Sequence, residues 1–98
     1  MKIYLDDTRE APIGWVRCYW PDEVIDLLEN EAVEIISLDH DLGDDERGTG
    51  YDVLSWIEHR VALAGFEPPE ILLHTANPVA RDRMRAAVAA IARLAARR

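Results

Sequence analysis

Apolar and polar positions along the chain alternate between two periods, one suited to strands and one to helices. Ile3-Tyr4-Leu5 is a short apolar run that stops on Asp6-Asp7, which predicts a buried strand feeding a loop. Thr8–Gly14 contains Pro12 and Gly14 and lacks helical periodicity, so it reads as a loop. Trp15-Val16-Arg17-Cys18-Tyr19-Trp20 is aromatic and β-branched and predicts a second strand. Pro21 suits a first helical position, Asp22 and Glu23 suit the positive end of the helix dipole, and Val24, Leu27 and Leu28 form the apolar stripe of a first helix.

Val33-Glu34-Ile35-Ile36-Ser37-Leu38 is nearly continuous in its apolar character, as strands of parallel sheets are. An acid-rich loop from Asp39 to Thr49 follows, and Thr49-Gly50-Tyr51-Asp52 has the form of a capping box. Val53, Leu54, Ile57, Val61 and Ala64 recur at helical spacing, with Gly65 placed to end that helix. Pro68-Pro69 break the chain before a fourth strand, Ile71-Leu72-Leu73-His74-Thr75. Asn77-Pro78 then supply a cap and a first residue for a last helix, whose stripe is Met84, Val88, Ile91 and Ala95 with Ala87 and Leu94 alongside. Strands alternating with helices predict an α/β domain with a mostly parallel four-stranded sheet. The connection between the first two strands is near the lower limit for a parallel crossover, so a parallel pairing and a hairpin both remain open.

The length, 98 residues, fits one domain spanning 1–98. No apolar run approaches the ~20 residues that cross a bilayer, and the start reaches Asp6-Asp7 too soon for a signal peptide. Cys18 is the lone cysteine, which leaves no intramolecular disulfide and no cysteine metal pair. These features predict a cytoplasmic, reduced domain with no membrane partner. The net charge of −8 argues against duplex nucleic acid, which needs a basic face. The charge is unevenly placed: residues 1–80 hold 5 Lys/Arg against 18 Asp/Glu, whereas residues 81–98 hold 6 Arg against one acid. At helical periodicity these arginines read chiefly as a solvated basic face, with a binding patch as the alternative.

Ligands of open parallel sheets bind outside the carboxyl ends of the strands. Three strands end there in polar residues: Asp6-Asp7, Asp39-His40-Asp41, and His74-Thr75-Ala76-Asn77. Two carboxylates ~4 Å apart repel by about 4 kcal/mol at an effective dielectric near 20. Either one is protonated or a cation lies between them. Oxygen donors point to Mg²⁺, with Mn²⁺ or Ca²⁺ as alternatives. Such a cation would hold a phosphate oxygen, to which Thr75 would donate a hydroxyl. Each residue also has a plainer reading. Single aspartates at loop starts are commonly solvated, and Asp44, Asp45 and Glu46 read that way. His40 suits a general acid or base near neutral pH or an ordinary loop histidine. His74 borders a buried strand as a core histidine would. Asn77 is most simply a cap, Arg9 binds phosphate or pairs with an acid, and His59 lies mid-helix without an evident partner.

In this order the residues resemble the receiver domain of two-component response regulators. The resemblance is carried by Asp6-Asp7 after the first strand, Glu34-Ile35-Ile36-Ser37-Leu38-Asp39 with Gly50-Tyr51-Asp52-Val53-Leu54, and Ile71-Leu72-Leu73-His74-Thr75-Ala76. It implies a three-layer, flavodoxin-like sandwich, with Asp6 and Asp7 as metal ligands, Asp39 as the central carboxylate and Thr75 as the phosphate-binding hydroxyl. The chain departs from that pattern in lacking the first helix, the fifth strand and the phosphate-binding lysine. A closer resemblance is to the shortened cyclic-phosphate processing receiver domains. It rests on Leu5-Asp6-Asp7-Thr8-Arg9-Glu10-Ala11-Pro12, Ser37-Leu38-Asp39-His40-Asp41-Leu42-Gly43, Thr49-Gly50-Tyr51-Asp52 and His74-Thr75-Ala76-Asn77-Pro78, and covers nearly the whole chain. It implies that Arg9, His40, His74 and Asn77 join the acids in the site.

The resulting expectation is a Mg²⁺-binding domain that acts on a small phosphorylated ligand such as a cyclic phosphate diester. Asp6, Asp7 and Asp39 would hold the metal with Asp41 assisting. His40 or His74 would protonate the leaving alkoxide, and Arg9 with Thr75 would stabilise the added charge. Attack by water and direct attack by Asp39 both remain open. The rival readings are a non-catalytic module that binds a ligand or partner, and a phosphoaccepting signalling domain. The Ala-rich last helix also raises a homodimer through that helix as an expectation.

Overall fold

In a computed structural model, which describes residues 1–97, the elements are β1 (Lys2–Leu5), β2 (Val16–Cys18), α1 (Pro21–Asn30), β3 (Ile35–Leu38), α2 (Gly50–Ala64), β4 (Glu70–Leu73) and α3 (Pro78–Ala96). Arg98, the last residue of the expected domain, lies outside the described residues. The sheet order is β2-β1-β3-β4, and every neighbouring pair is parallel. The first two strands are therefore not a hairpin. Their connection reverses direction through tight turns instead of a helix. Asp6 Oδ1 accepts the amides of Thr8 and Arg9 at 2.9 Å, the Trp15 amide donates to the Pro12 carbonyl at 3.1 Å, and Gly14 adopts φ 88°.

Side-chain capture sets several element ends. β2 stops at Cys18, short of the expected Trp20, because the Glu23 carboxylate accepts the amides of Tyr19 and Trp20, each at 2.9 Å. Those bonds draw the chain into α1. The capping box that starts α2 is formed: Thr49 Oγ1 accepts from the Tyr51 amide and Asp52 Oδ2 accepts from the Thr49 amide. Gly65 closes α2 in the left-handed conformation, at φ 63°. Asn77 Oδ1 accepts the Ala80 amide at 3.1 Å and caps α3.

Strand alternation sends Ile3 and Leu5 of β1 and Ile36 and Leu38 of β3 to one side, where all four are fully buried. Val24 and Leu28 of α1, Val53, Leu54 and Ile57 of α2, and Met84, Ala87 and Ile91 of α3 complete this core. Burying each such large apolar side chain contributes about 1.5–3 kcal/mol. The crossovers β2–α1–β3 and β3–α2–β4 step across the sheet in the same direction. Right-handed connections then place their helices on the same face. α3 packs beside α2 and shares that core. The result is a reduced α/β receiver-like sandwich. Without an additional helix before β2, the face carrying Tyr4, Ser37 and Leu72 stays uncovered by helices among the described residues, and Leu72 is 43% exposed. Cys18 is buried on the helix side, where burial and then Glu23 push its thiol up to about 11, so it is inert at neutral pH. Among the described residues no helix is long and apolar enough to cross a membrane.

Candidate functional site

The backbone ladder continues one step past three strands and thereby aligns three side chains. The Asp6 amide donates to the Cys18 carbonyl at 3.1 Å, the Asp39 amide to the Leu5 carbonyl at 3.0 Å, and the His74 amide to the Leu38 carbonyl at 3.0 Å. Asp6, Asp39 and His74 follow the carboxyl ends of β1, β3 and β4 and converge. One ligand atom from each lies within 4.8 Å of the others.

Asp6 is fully buried and heavily hydrogen-bonded. Oδ1 accepts the Thr8 and Arg9 amides and the Thr8 hydroxyl, while Oδ2 faces His74 Nε2 at 3.0 Å and the Arg9 guanidinium at 3.5 Å. Burial pushes its pKa up, but the amides of Arg9 and Thr8 and the nearby His74 outweigh burial and hold the carboxyl below the usual range. Asp39 behaves oppositely. Burial, with the negative charge of Asp6, raises its pKa despite the hydrogen bond from the His40 amide at 2.8 Å. Burial likewise holds His74 below the ordinary histidine value, against the pull of Asp6.

His74 is fixed by three contacts. Its Nε2 meets Asp6, its Nδ1 lies 2.7 Å from Ser37 Oγ, and its ring stacks on Tyr4 with centroids 4.4 Å apart and planes 2° apart. An ionised Asp6 accepts from Nε2–H, so Nδ1 accepts from the Ser37 hydroxyl in the neutral tautomer. Arg9 ties the β1 loop to the same corner by donating to the His74 carbonyl at 2.7 Å, and Arg17 Nε donates to the Asp6 carbonyl at 3.1 Å. Ser37, Tyr4 and Arg17 are absent from the sequence-derived site. The hint for Ser37 was a hydroxyl inside an otherwise apolar run. Tyr4 and Arg17 carry no local signal.

The remaining expected residues occupy separate positions. Asp7 Oδ2 lies against Gly43, 3.5 Å from where a β-carbon would sit, outside the three-residue group. Asp41 is exposed and pairs with His40, Oδ1 to Nδ1 at 2.9 Å. That leaves Nε2 of His40 without a partner among the described residues. Thr75 is buried and its Oγ1 accepts the Asn77 amide at 3.2 Å. Asn77 directs its side-chain oxygen to the helix cap. The loop carrying Asp39 is pressed onto α2: the Gly50 amide donates to the His40 carbonyl at 3.0 Å, and a β-carbon on Gly50 would lie 1.8 Å from the Asp39 carbonyl oxygen.

The donor chemistry of this group fits a divalent cation. Asp39 Oδ1 accepts only the His40 amide, and Oδ2 has no hydrogen-bond partner among the described residues, so this carboxylate is open to a ligand. A cation would offset the repulsion from Asp6 that helps to raise Asp39. Two carboxylates suit Mg²⁺ or Mn²⁺, and an added imidazole favours Mn²⁺. Site and volume do not coincide. A groove of about 630 Å³ lies at the opposite end of the strands beside Met1, Glu34 and Pro69. The claim of the acids rests on their geometry.

Comparison with known families places these features in a wider group. The sequence model described as Cyclic-phosphate processing Receiver domain matches residues 1–90. No curated protein and no solved structure matches the chain.

Proposed function

The chain belongs to the cyclic-phosphate processing receiver domain family, and from that membership we propose that it binds a divalent cation at Asp6, Asp39 and His74 and processes a small cyclic phosphate or related phosphoester. The observation that carries this reading is the convergence of these three side chains at the carboxyl ends of three parallel strands. A bound cation, Mg²⁺ or else Mn²⁺ or Ca²⁺, would supply positive charge to a phosphoryl oxygen and acidify water beside it.

The chain's own groups support complementary roles. Arg9 is half-exposed beside Asp6 and places a fixed guanidinium at the rim, suited to a phosphate oxygen. The Thr75 hydroxyl accepts from Asn77 and keeps its own proton for donation. His40, oriented through Nδ1 by Asp41, retains a free Nε2 and is the better candidate to protonate a leaving alkoxide. His74 already uses both ring nitrogens, which favours positioning over proton shuttling, and its ligation of a cation requires Nε2 to give up the proton it donates to Asp6. Asp7 and Asp41 act from outside the three-residue group, Asp41 through His40.

The test is ³¹P NMR of the protein with Mg²⁺ or Mn²⁺ and a panel of cyclic phosphates, with Asp39→Asn as control and circular dichroism to confirm folding. Loss of a cyclic-phosphate resonance with the wild type alone is the expected result. Calorimetric metal binding with every resonance unchanged would sink the catalytic reading in favour of a ligand-binding module.

A further inference from the structure

β4 forms one edge of the sheet, paired only with β3. The Glu70 amide donates to the Glu34 carbonyl and the His74 amide to the Leu38 carbonyl, both at 3.0 Å. Alternation along a parallel ladder then turns the backbone groups of Glu70, Leu72 and His74 toward β3 and those of Ile71 and Leu73 outward. Exposed edges are normally blunted by charge, proline or a covering element. Here Pro68 and Pro69 stand before the edge and β4 opens on the exposed Glu70, while Ile71-Leu72-Leu73 carries neither charge nor proline.

α3 runs back beside this edge and makes the other wall of a groove of about 400 Å³, lined by Ile71, Leu72, Leu73, Arg81, Arg85 and Val88. Arg81 donates to the Thr75 carbonyl, and Arg85 has no hydrogen bond or ion pair among the described residues. Among the described residues neither arginine pairs with an acid, although acids outnumber basic residues in the chain by 19 to 11. Arg81 and Arg85 are one helical step of four residues apart, a rise of about 6 Å. Alternate residues of an extended strand, which share a face, are about 6.7 Å apart.

We propose that the open edge of β4 takes up an extended acidic segment of a partner protein as an added strand. Its backbone pairs with Ile71 and Leu73, and acidic side chains at alternate positions meet Arg81 and Arg85. Strand addition of this kind draws affinity from main-chain hydrogen bonds and specificity from alternate side chains. The acid-x-acid pattern follows from the match between helix rise and strand repeat. A second copy fits the same edge poorly. Two-fold pairing of β4 with itself would bring both copies of Arg81 and Arg85 into one seam, where like charges repel. This interaction is independent of the proposed phosphoester chemistry.

The probe is an eight-residue fluorescein-labelled peptide of threonine and valine with glutamates at two alternate positions. Fluorescence anisotropy is expected to show saturable binding that weakens at least tenfold when both glutamates become lysine, when the peptide backbone is N-methylated, and in Arg85→Glu. Arg85 is exposed on α3, and circular dichroism checks that the variant folds. Should it not fold, the N-methylated peptide against the wild type decides the matter. In ¹⁵N NMR the Ile71 and Leu73 amides should shift most and gain protection from hydrogen exchange. Absence of saturable binding, equal binding by a folded Arg85→Glu, or a dimer whose Ile71 and Leu73 amides are already protected would each overturn the proposal.

Discussion

His74 Nε2 lies 3.0 Å from Asp6 Oδ2, although β3 runs between the strands that bear them. Neighbouring strands are about 4.8 Å apart, so the pair spans two strand spacings. The imidazole covers that distance by lying across the open sheet face, stacked on Tyr4 and held at Nδ1 by Ser37. Asp39 ends the strand underneath. One hydrogen bond thus joins the outermost members of the candidate site and brackets its third member. The half-uncovered face is what permits it, because a packed helix would occupy the space of the ring.

The pH response of this pair follows from its shifts. Burial depresses the folded-state pKa of His74, so the unfolded chain takes up this proton first and stability falls as pH drops below about 6.5. Asp6, held below 3.8, contributes stability that is present above that value and lost as pH falls through its lowered pKa. Asp39, with its raised pKa, opposes both by favouring the folded state on protonation. A ring-nitrogen NMR titration should place the His74 midpoint below 6.5, and Asp6→Asn should move it further down by removing the attracting charge. An upward move would contradict the assigned contacts.

Asp39→Asn separates metal binding from folding. It removes a carboxyl that burial and Asp6 make unfavourable when ionised, so the metal-free protein should melt at a higher temperature at neutral pH. Calorimetric titration with Mn²⁺ should show affinity reduced at least tenfold, since a charged ligand is lost. In the wild type, Mn²⁺ affinity should decline as pH falls through the raised Asp39 value, because protons compete for the same oxygen. Unchanged affinity in the variant would remove Asp39 from the ligand set.

Gly50→Ala should destabilise the domain by about 3 kcal/mol in chemical denaturation, because the new β-carbon collides with the Asp39 carbonyl and backbone must move. Gly65→Ala meets no atom within 4 Å, and only its left-handed backbone opposes a side chain, at about 1 kcal/mol. A smaller loss at Gly50 than at Gly65 would contradict the close approach of the Asp39 loop to α2.

Asn77 distinguishes a helix cap from a ligand contact. Asn77→Ala should cost about 1 kcal/mol, whereas Asn77→Ser keeps a capping oxygen and most of the stability. The serine variant should also retain metal affinity and any phosphoester turnover. Stability retained with turnover lost would instead assign the amide to the ligand.

Features that depend on a few consecutive residues were legible from the sequence alone. Glu23 and Pro21 start α1, the Thr49–Asp52 pair starts α2, Gly65 ends it and Asn77 caps α3, because each acts on backbone groups within a turn of itself. Apolar periodicity likewise named most of the core, and the order of motifs carried the family resemblance that the match over residues 1–90 bears out.

Tertiary structure decided what lies between elements distant in sequence. The short turn-rich connection allowed β1 and β2 to pair in parallel, which their separation alone left open. The order β2-β1-β3-β4 brought Asp6, Asp39 and His74 together and left Asp7 and Asp41 outside that group. Ser37, Tyr4 and Arg17 entered the site through contacts across strands, and the bare edge of β4 exists because no described element covers it. Local chemistry specifies caps and periods through neighbours within a few residues. Convergence depends on strand order, register and side-chain direction, which arise only when the whole apolar face is buried at once.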